Sequence, residues 1–346
     1  MNTVLKKIRR LFIIFTLIPQ LNIFSQSVIN GIYTEDIQAD PEILKKSPIS
    51  FAIGIAPKLE IGSGFEYVFK NYNEVLSKLI WPLLPASGFQ ATTEIYIGNG
   101  FHTVFNAVFS IPHSTGKMRD YDFLNHTKKD VLTHFSMHKC ILEQGKELGF
   151  TVGWIMPLAE YFQNGNKIKI YAEPCIGLRY YSHTWLAFDG YLQYSNANSE
   201  LTPETPKVLW KGNAAQYRQD LVLPNIGILF KFDLPKKWQI KTAVQVCPQV
   251  LGLCEDNHFG RNIVFYDIFH KKGFSLHINF FAEKKLNNVL GVFFSTDCSA
   301  ITSYNGISIA RKSSNKNILS ASQEGSSGTA FYTAVFSVGM MIRLGE

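Results

Sequence analysis

Past residue 26 the sequence has no run of about 18 uninterrupted apolar residues, which excludes a helical multispan membrane protein. It also lacks cysteine patterning. The five cysteines, Cys140, Cys175, Cys247, Cys254 and Cys298, show no CxxC or CxxxC spacing, so neither a zinc site nor a dense disulfide scaffold is indicated. No heptad, internal repeat or low-complexity tract is present, and charged residues make up only 18% of the chain. The formal charge of +7 is itself local: residues 1–26 carry Lys6, Lys7, Arg9 and Arg10 and no acid, leaving 30 basic against 27 acidic residues beyond them. With that balance, composition gives no support to a nucleic-acid partner.

What is present is apolar and aromatic. With 346 residues, 46% hydrophobic and 14% aromatic, the chain can build one large domain or two small ones. Residues 1–26 read as a secretory signal: a basic start, an apolar stretch from Leu11 to about Phe24, and small residues at Ser25 and Ser27. Residues 27–45 read as an irregular lead-in and 46–346 as a single domain that leaves the cytoplasm.

Within that domain the dominant pattern has period two, the signature of a strand. Trp238, Ile240, Val244 and Val246 share one face against Gln239, Lys241 and Gln245. Leu276, Ile278, Phe280 and Ala282 oppose Ser275, His277 and Asn279, and the same alternation runs from Tyr332 to Arg343. Alternation alone suits a secreted sandwich as well as a membrane barrel. The connections separate the two. Short, turn-rich linkers at 98–100, 163–166, 233–237 and 283–288 alternate with polar connections near 70–76, 114–130, 186–216, 252–272 and 300–329. Five loops at one end and four turns at the other require ten strands. The expected fold is therefore all-β, a ten-stranded antiparallel transmembrane β-barrel with short periplasmic turns and long extracellular loops. The aromatics Tyr180, Tyr181 and Trp185 read as part of its interfacial girdle.

In such a barrel every second connection lies on the same side of the membrane. "GKMRDYDFLN" (116–125) then opens the second long loop with Asp120 and Asp122, and "LGLCEDNHFG" (251–260) opens the fourth with Asp256 and His258. Residues i and i+2 of an extended chain point to one face, so each pair presents both groups together. A carboxylate beside an imidazole fixes its tautomer and raises its pKa, which suits His258 as a base towards water. Two facing carboxylates do not both ionise cheaply, so Asp120 and Asp122 can share a proton and hold that water. On spacing alone, solvated loop roots or a calcium-like carboxylate pair remain open alternatives.

From about Ile49 onward the chain resembles the omptins, ten-stranded outer-membrane endopeptidases whose active site lies in the extracellular part of the barrel. "MRDYDFLN" looks like the family's Met-x-Asp-x-Asp-aromatic segment, and "EDNHF" followed by "GRNIVFYD" is similar to its DxH-aromatic stretch. "LSKLIW" (76–81), "YSHT" (181–184) and "LPNIGI" (223–228) are supporting matches in order. The resemblance implies Asp120, Asp122, Asp256 and His258 as catalytic residues acting through an activated water. It also implies polypeptide substrates cleaved at or between basic residues, an outer-membrane lipid environment with the active site outside the cell, and no metal or other cofactor. "FEYVF" (65–69) resembles the segment that carries a pocket acid, which is Glu66 here, and Met118 falls where the family has a pocket-lining Met. The second pocket acid aligns with Cys254, leaving neighbouring Glu255 as its replacement. Omptins are activated by lipopolysaccharide held on outward basic residues. At the matching places stand Tyr180 and Asp220, with Arg179 and Arg218 displaced by one or two residues. A catalytically inactive barrel, serving as a surface adhesin or narrow pore, is the rival reading.

Overall fold

The computed structural model describes residues 49–70, 74–98, 100–163, 166–196, 199–314 and 317–345. The expected signal (1–26) and lead-in (27–45) lie outside the described residues. Ten antiparallel strands form a ring. They run Ile49–Phe69, Val75–Ile97, Phe101–Ser110 continued by His113–Asp122, His134–Trp154 continued by Met156–Gln163, and Asn166–Tyr194. The second half follows as Val208–Leu234, Trp238–Cys247 continued by Leu251–His258, Ile263–Phe269 continued by Phe274–Lys285, Leu290–Lys312 and Ser327–Leu344. Each strand pairs with its neighbours in sequence, and the first closes on the last, from Phe51 opposite Leu344 to Val68 opposite Ser327. Closure leaves no open edge to the ring among the described residues, the condition for crossing a bilayer with strands.

The short turns fall where the linkers predict them among the described residues; residues 164–165 of the second linker lie outside these. In the first, Gly98 and Gly100 take φ of 53° and 129°, a backbone region that residues with a side chain rarely adopt. The outward face is apolar over the lower part of the ring, as at Ile53, Ile55 and Leu59 on the first strand and Phe336, Val338 and Met340 on the last. This band ends in a girdle. The Lys78 ammonium lies over the rings of Phe65 and Tyr67 at 5.4 and 5.8 Å. On the fifth and sixth strands Tyr180 donates to Asp220, which also holds Arg218 at 2.7 Å.

Inside, the alternate residues are polar and paired. Lys241 bonds Glu94 at 2.6 Å, Arg179 meets Asp297 at 3.3 Å, and Lys58–Glu60 and Arg343–Glu283 are buried ion pairs. Partnering of this kind is what makes buried charge tolerable. Above this polar interior the lumen is filled by stacked rings, with Trp81 5.4 Å from Tyr217 and Trp185 6.0 Å from Tyr217. Trp185 also donates its indole N–H to the Pro82 carbonyl at 3.1 Å. Tyr181 and Trp185 thus belong to the lumen rather than to the girdle, where only Tyr180 of the three stands.

The strands run further than the alternation predicts. The fifth has 29 residues and the sixth 27, against about 9–11 needed to cross a bilayer. Stretches expected as loop, including 186–194, 208–216 and 252–258, are paired strand. Above the apolar band water lies against the outer face, so both faces carry polar residues and the period-two signal fades while the hydrogen-bond ladder continues.

Candidate active site

The upper end of the ring encloses a cavity of about 380 Å³. Asp120 and Asp122 reach it from the top of the third strand, and Asp256 and His258 from the top of the seventh. Both segments are strand, not the loop openings expected. The period-two geometry holds: Met118, Asp120 and Asp122 share the inward face of one, and Cys254, Asp256 and His258 that of the other. All four expected catalytic residues and Glu66 line the same cavity.

Within the seventh strand the His258 Nε2–H donates to Asp256 Oδ2. That bond fixes the tautomer and leaves the lone pair on Nδ1. Phe265 packs edge-on against the imidazole, with centroids 5.5 Å apart. Burial alone would lower the basicity of His258, but the charge and hydrogen bond of Asp256 overcome it and hold the pKa above the ordinary 6.5. On the other side, Ser77 donates to Asp120 Oδ1 at 3.2 Å. Burial and the neighbouring Asp122 carboxylate push Asp120 up to about 7, against the pull of His258 and Ser77. Burial also raises Asp122, opposed by the Ser77 hydrogen bond and by the charges of His134 and Arg261. Near neutral pH this carboxylate pair therefore holds a proton while His258 is poised to exchange one.

The expected pocket residues separate. Glu66, 3% exposed, faces the cavity; burial and the carboxylates of Asp256, Asp267 and Asp120 hold its pKa well above the ordinary value. Met118 lies two residues below Asp120 on the same face, buried in the apolar cluster that also holds Leu79, Trp81 and Tyr217, and does not line the cavity. Glu255 is not brought to the site. It sits between the inward Cys254 and Asp256, and strand alternation turns it to the opposite face.

Three groups escaped the sequence reading. Ser77 stands beside Asp120, Arg261 follows His258 in the tight connection to the eighth strand, and Asp267, on that strand, is 4% exposed and lines the cavity. Counting every second residue from Phe265 inward reaches Asp267, so the signal was present in "FYD". Of the displaced arginines, Arg179 points into the lumen towards Asp297, and Arg218 faces outward in its pair with Asp220. Among the described residues, Glu60, Glu147 and His183 bring potential metal-ligand atoms within 4.8 Å of one another, deeper in the lumen. The Lys58 ammonium already occupies one oxygen of Glu60 and Thr333 donates to the other, so a cation there would compete with a resident one.

A family model described as the Omptin family matches residues 47–344. The fold is similar to the crystal structure of the outer membrane protease OmpT from Escherichia coli, with a TM-score of 0.75 at 14% identity over 88% of this chain and 100% of that one. It is more distantly similar to the outer membrane protein OprG from Pseudomonas aeruginosa, with a TM-score of 0.38 at 8% identity over 87% and 98% of the two chains. A sequence comparison with curated proteins finds no match.

Proposed function

Because the chain belongs to the omptin family of outer-membrane proteases, we propose that it is an endopeptidase cleaving exposed polypeptides at or between basic residues. The observation that carries this reading is the convergence of Asp120, Asp122, Asp256 and His258 on one cavity. A water between the two pairs gives its proton to Nδ1 of His258 as its oxygen attacks the peptide carbonyl. Asp256 stabilises the imidazolium that forms, through the bond to Nε2–H. Asp120 and Asp122, sharing a proton, orient the water from the other side and hydrogen-bond the oxyanion as it develops. The imidazolium then protonates the departing amine, which balances the reaction without a covalent enzyme intermediate.

Glu66 at the cavity wall supports selection of a cationic side chain, since a buried carboxylate is costly unless a partner arrives. The cavity lies at the end of the barrel opposite the short turns, and this supports an active site facing outside the cell. The stacked rings of Trp81, Trp185 and Tyr217 below it weigh against a pore. The test is to refold the protein in detergent, with and without lipopolysaccharide, and follow peptides carrying Arg-Arg, Lys-Lys or a neutral pair. Cleavage of the dibasic peptides is expected. Absence of cleavage in both conditions, or equal cleavage of the neutral peptide, would refute the reading.

A further inference from the structure

We infer that Glu60, Glu147 and His183 bind a zinc ion in the lumen beneath the stacked rings, where the ion braces the first strand against the fourth and fifth. This interior site is separate from the catalytic cavity and stands or falls apart from the proteolytic reading.

Below the rings a cavity of about 110 Å³ has four acids in its wall, Glu94, Glu147, Glu173 and Asp297. Three of them have a cation at bonding distance: Lys241 is 2.6 Å from Glu94, His102 is 2.8 Å from Glu173 and Arg179 is 3.3 Å from Asp297. Glu147 has none. The charges of Lys58 and Arg179 act on it from a distance, but among the described residues it makes no ion pair or side-chain hydrogen bond. The residue is 8% exposed and its Oε1 is buried. A buried carboxylate in this state is costly, and a cation from outside the chain relieves it.

The neighbours of Glu147 select the cation. Its register partner is Tyr181 and that of His183 is Gly145, so Glu147 and His183 are diagonal neighbours on the inward face of the fourth and fifth strands. Gly145 makes room for both: a Cβ there would meet Ser110 Oγ at 2.6 Å and His183 Cδ2 at 3.1 Å. His183 is 1% exposed and packs against the rings of Trp185 and Phe331, with centroids 5.5 and 4.7 Å away. Its Nδ1 has no partner among the described residues, and its Nε2 makes only a long approach of 3.5 Å to Oε1 of Glu60. One ligand atom from each of Glu60, Glu147 and His183 lies within 4.8 Å of the other two. Small side-chain shifts therefore bring all three to the roughly 2.0–2.2 Å at which zinc takes carboxylate and imidazole ligands, with water in the fourth position. Lys58 and Ser110 both donate to Oε2 of Glu60, which leaves Oε1 facing the histidine. The competition with Lys58 is then one of charge, not for the same oxygen. Two carboxylates with one imidazole suit zinc better than magnesium or calcium, which take oxygen ligands.

The test reads binding and stability, not cleavage. The refolded full chain, stripped with a chelator and exchanged into metal-free buffer, is titrated with Zn²⁺ and separately with Mg²⁺ by calorimetry, and its thermal unfolding is followed with and without Zn²⁺. Binding of Zn²⁺ in preference to Mg²⁺ and a raised unfolding midpoint are expected. Glu147→Gln and His183→Gln, either of which suffices if the other does not refold, are each expected to weaken Zn²⁺ binding by roughly 10–100-fold or more and to remove the midpoint shift. Lys58→Met, which deletes the competing charge and no ligand, is expected to tighten binding, whereas a general loss of packing would weaken it in all three variants. No Zn²⁺ binding by the wild type, wild-type affinity in the refolded Glu147 and His183 variants, or weaker binding in refolded Lys58→Met would overturn the assignment. Zinc that is lost in His258→Ala but kept in the Glu147 and His183 variants belongs to the catalytic cavity and overturns it too.

Discussion

Nε2 of His258 donates to Oδ2 of Asp256, two residues earlier on the same inward strand face, so the ring's free lone pair belongs to Nδ1. The carboxylate holds His258 above its ordinary pKa of 6.5, and the neutral ring is the base. Activity should therefore rise with pH through that raised value. In Asp256→Asn the burial of the ring loses its main opposition, leaving only the weaker pull of Asp120, so the acid limb of kcat/KM moves to lower pH while the maximum falls by roughly 10²–10⁴-fold. A pH–rate profile of the variant with an unmoved limb would contradict this role.

Asp120 is pushed up to about 7 from an ordinary 3.8. A carboxyl raised on folding contributes stability that is fully present below pH 3.8 and is lost as the pH rises through about 7. Asp120→Asn should thus leave stability at pH 4 nearly unchanged and increase it at pH 8 by roughly 1–4 kcal/mol. Denaturant midpoints in detergent at the two pH values check the sign.

Trp185 is fully buried beside the stacked rings of Trp81 and Tyr217, with its indole N–H bonded to the Pro82 carbonyl. Trp185→Ala opens a cavity and leaves that carbonyl without its donor, at a cost of about 3–5 kcal/mol. The same substitution should raise ion conductance above that of the wild type. Unfolding midpoints and planar-bilayer recordings report the two effects separately.

Arg218 faces outward at the girdle, held by Asp220. If lipopolysaccharide activates the protein, its phosphate must compete with that carboxylate. Asp220→Asn should lower the lipopolysaccharide concentration giving half-maximal activity, and Arg218→Gln should raise it, each by roughly two- to fivefold. Identical activation curves for both variants and the wild type would show that lipid acts elsewhere.

The turns at Gly98–Gly100 and Pro235–Lys237 were legible because their residue types and positive φ values are local properties. The alternation from Tyr332 to Ile342 was legible because lipid on one side and the polar lumen on the other impose opposite chemistry. Higher up, water lies on the outside, and residues such as Glu255 and Asn257 read as loop although the ladder continues through them. The four candidate catalytic residues were legible as i, i+2 pairs on single strands. Asp267 was legible only as the residue two after Phe265 in "FYD"; its place beside Cys254 is lateral, set by the register across two strands, which no single segment encodes.

The central claim is that two strand ends activate one water. It is tested most directly by kcat/KM on an Arg-Arg peptide for Asp120→Ala, His258→Ala and the double variant, each first shown to refold. Each single substitution is predicted to lower kcat/KM by roughly 10²-fold or more, with the double variant little worse than the poorer single, since both act on the same attacking water. Single variants that cleave as well as the wild type would contradict the account.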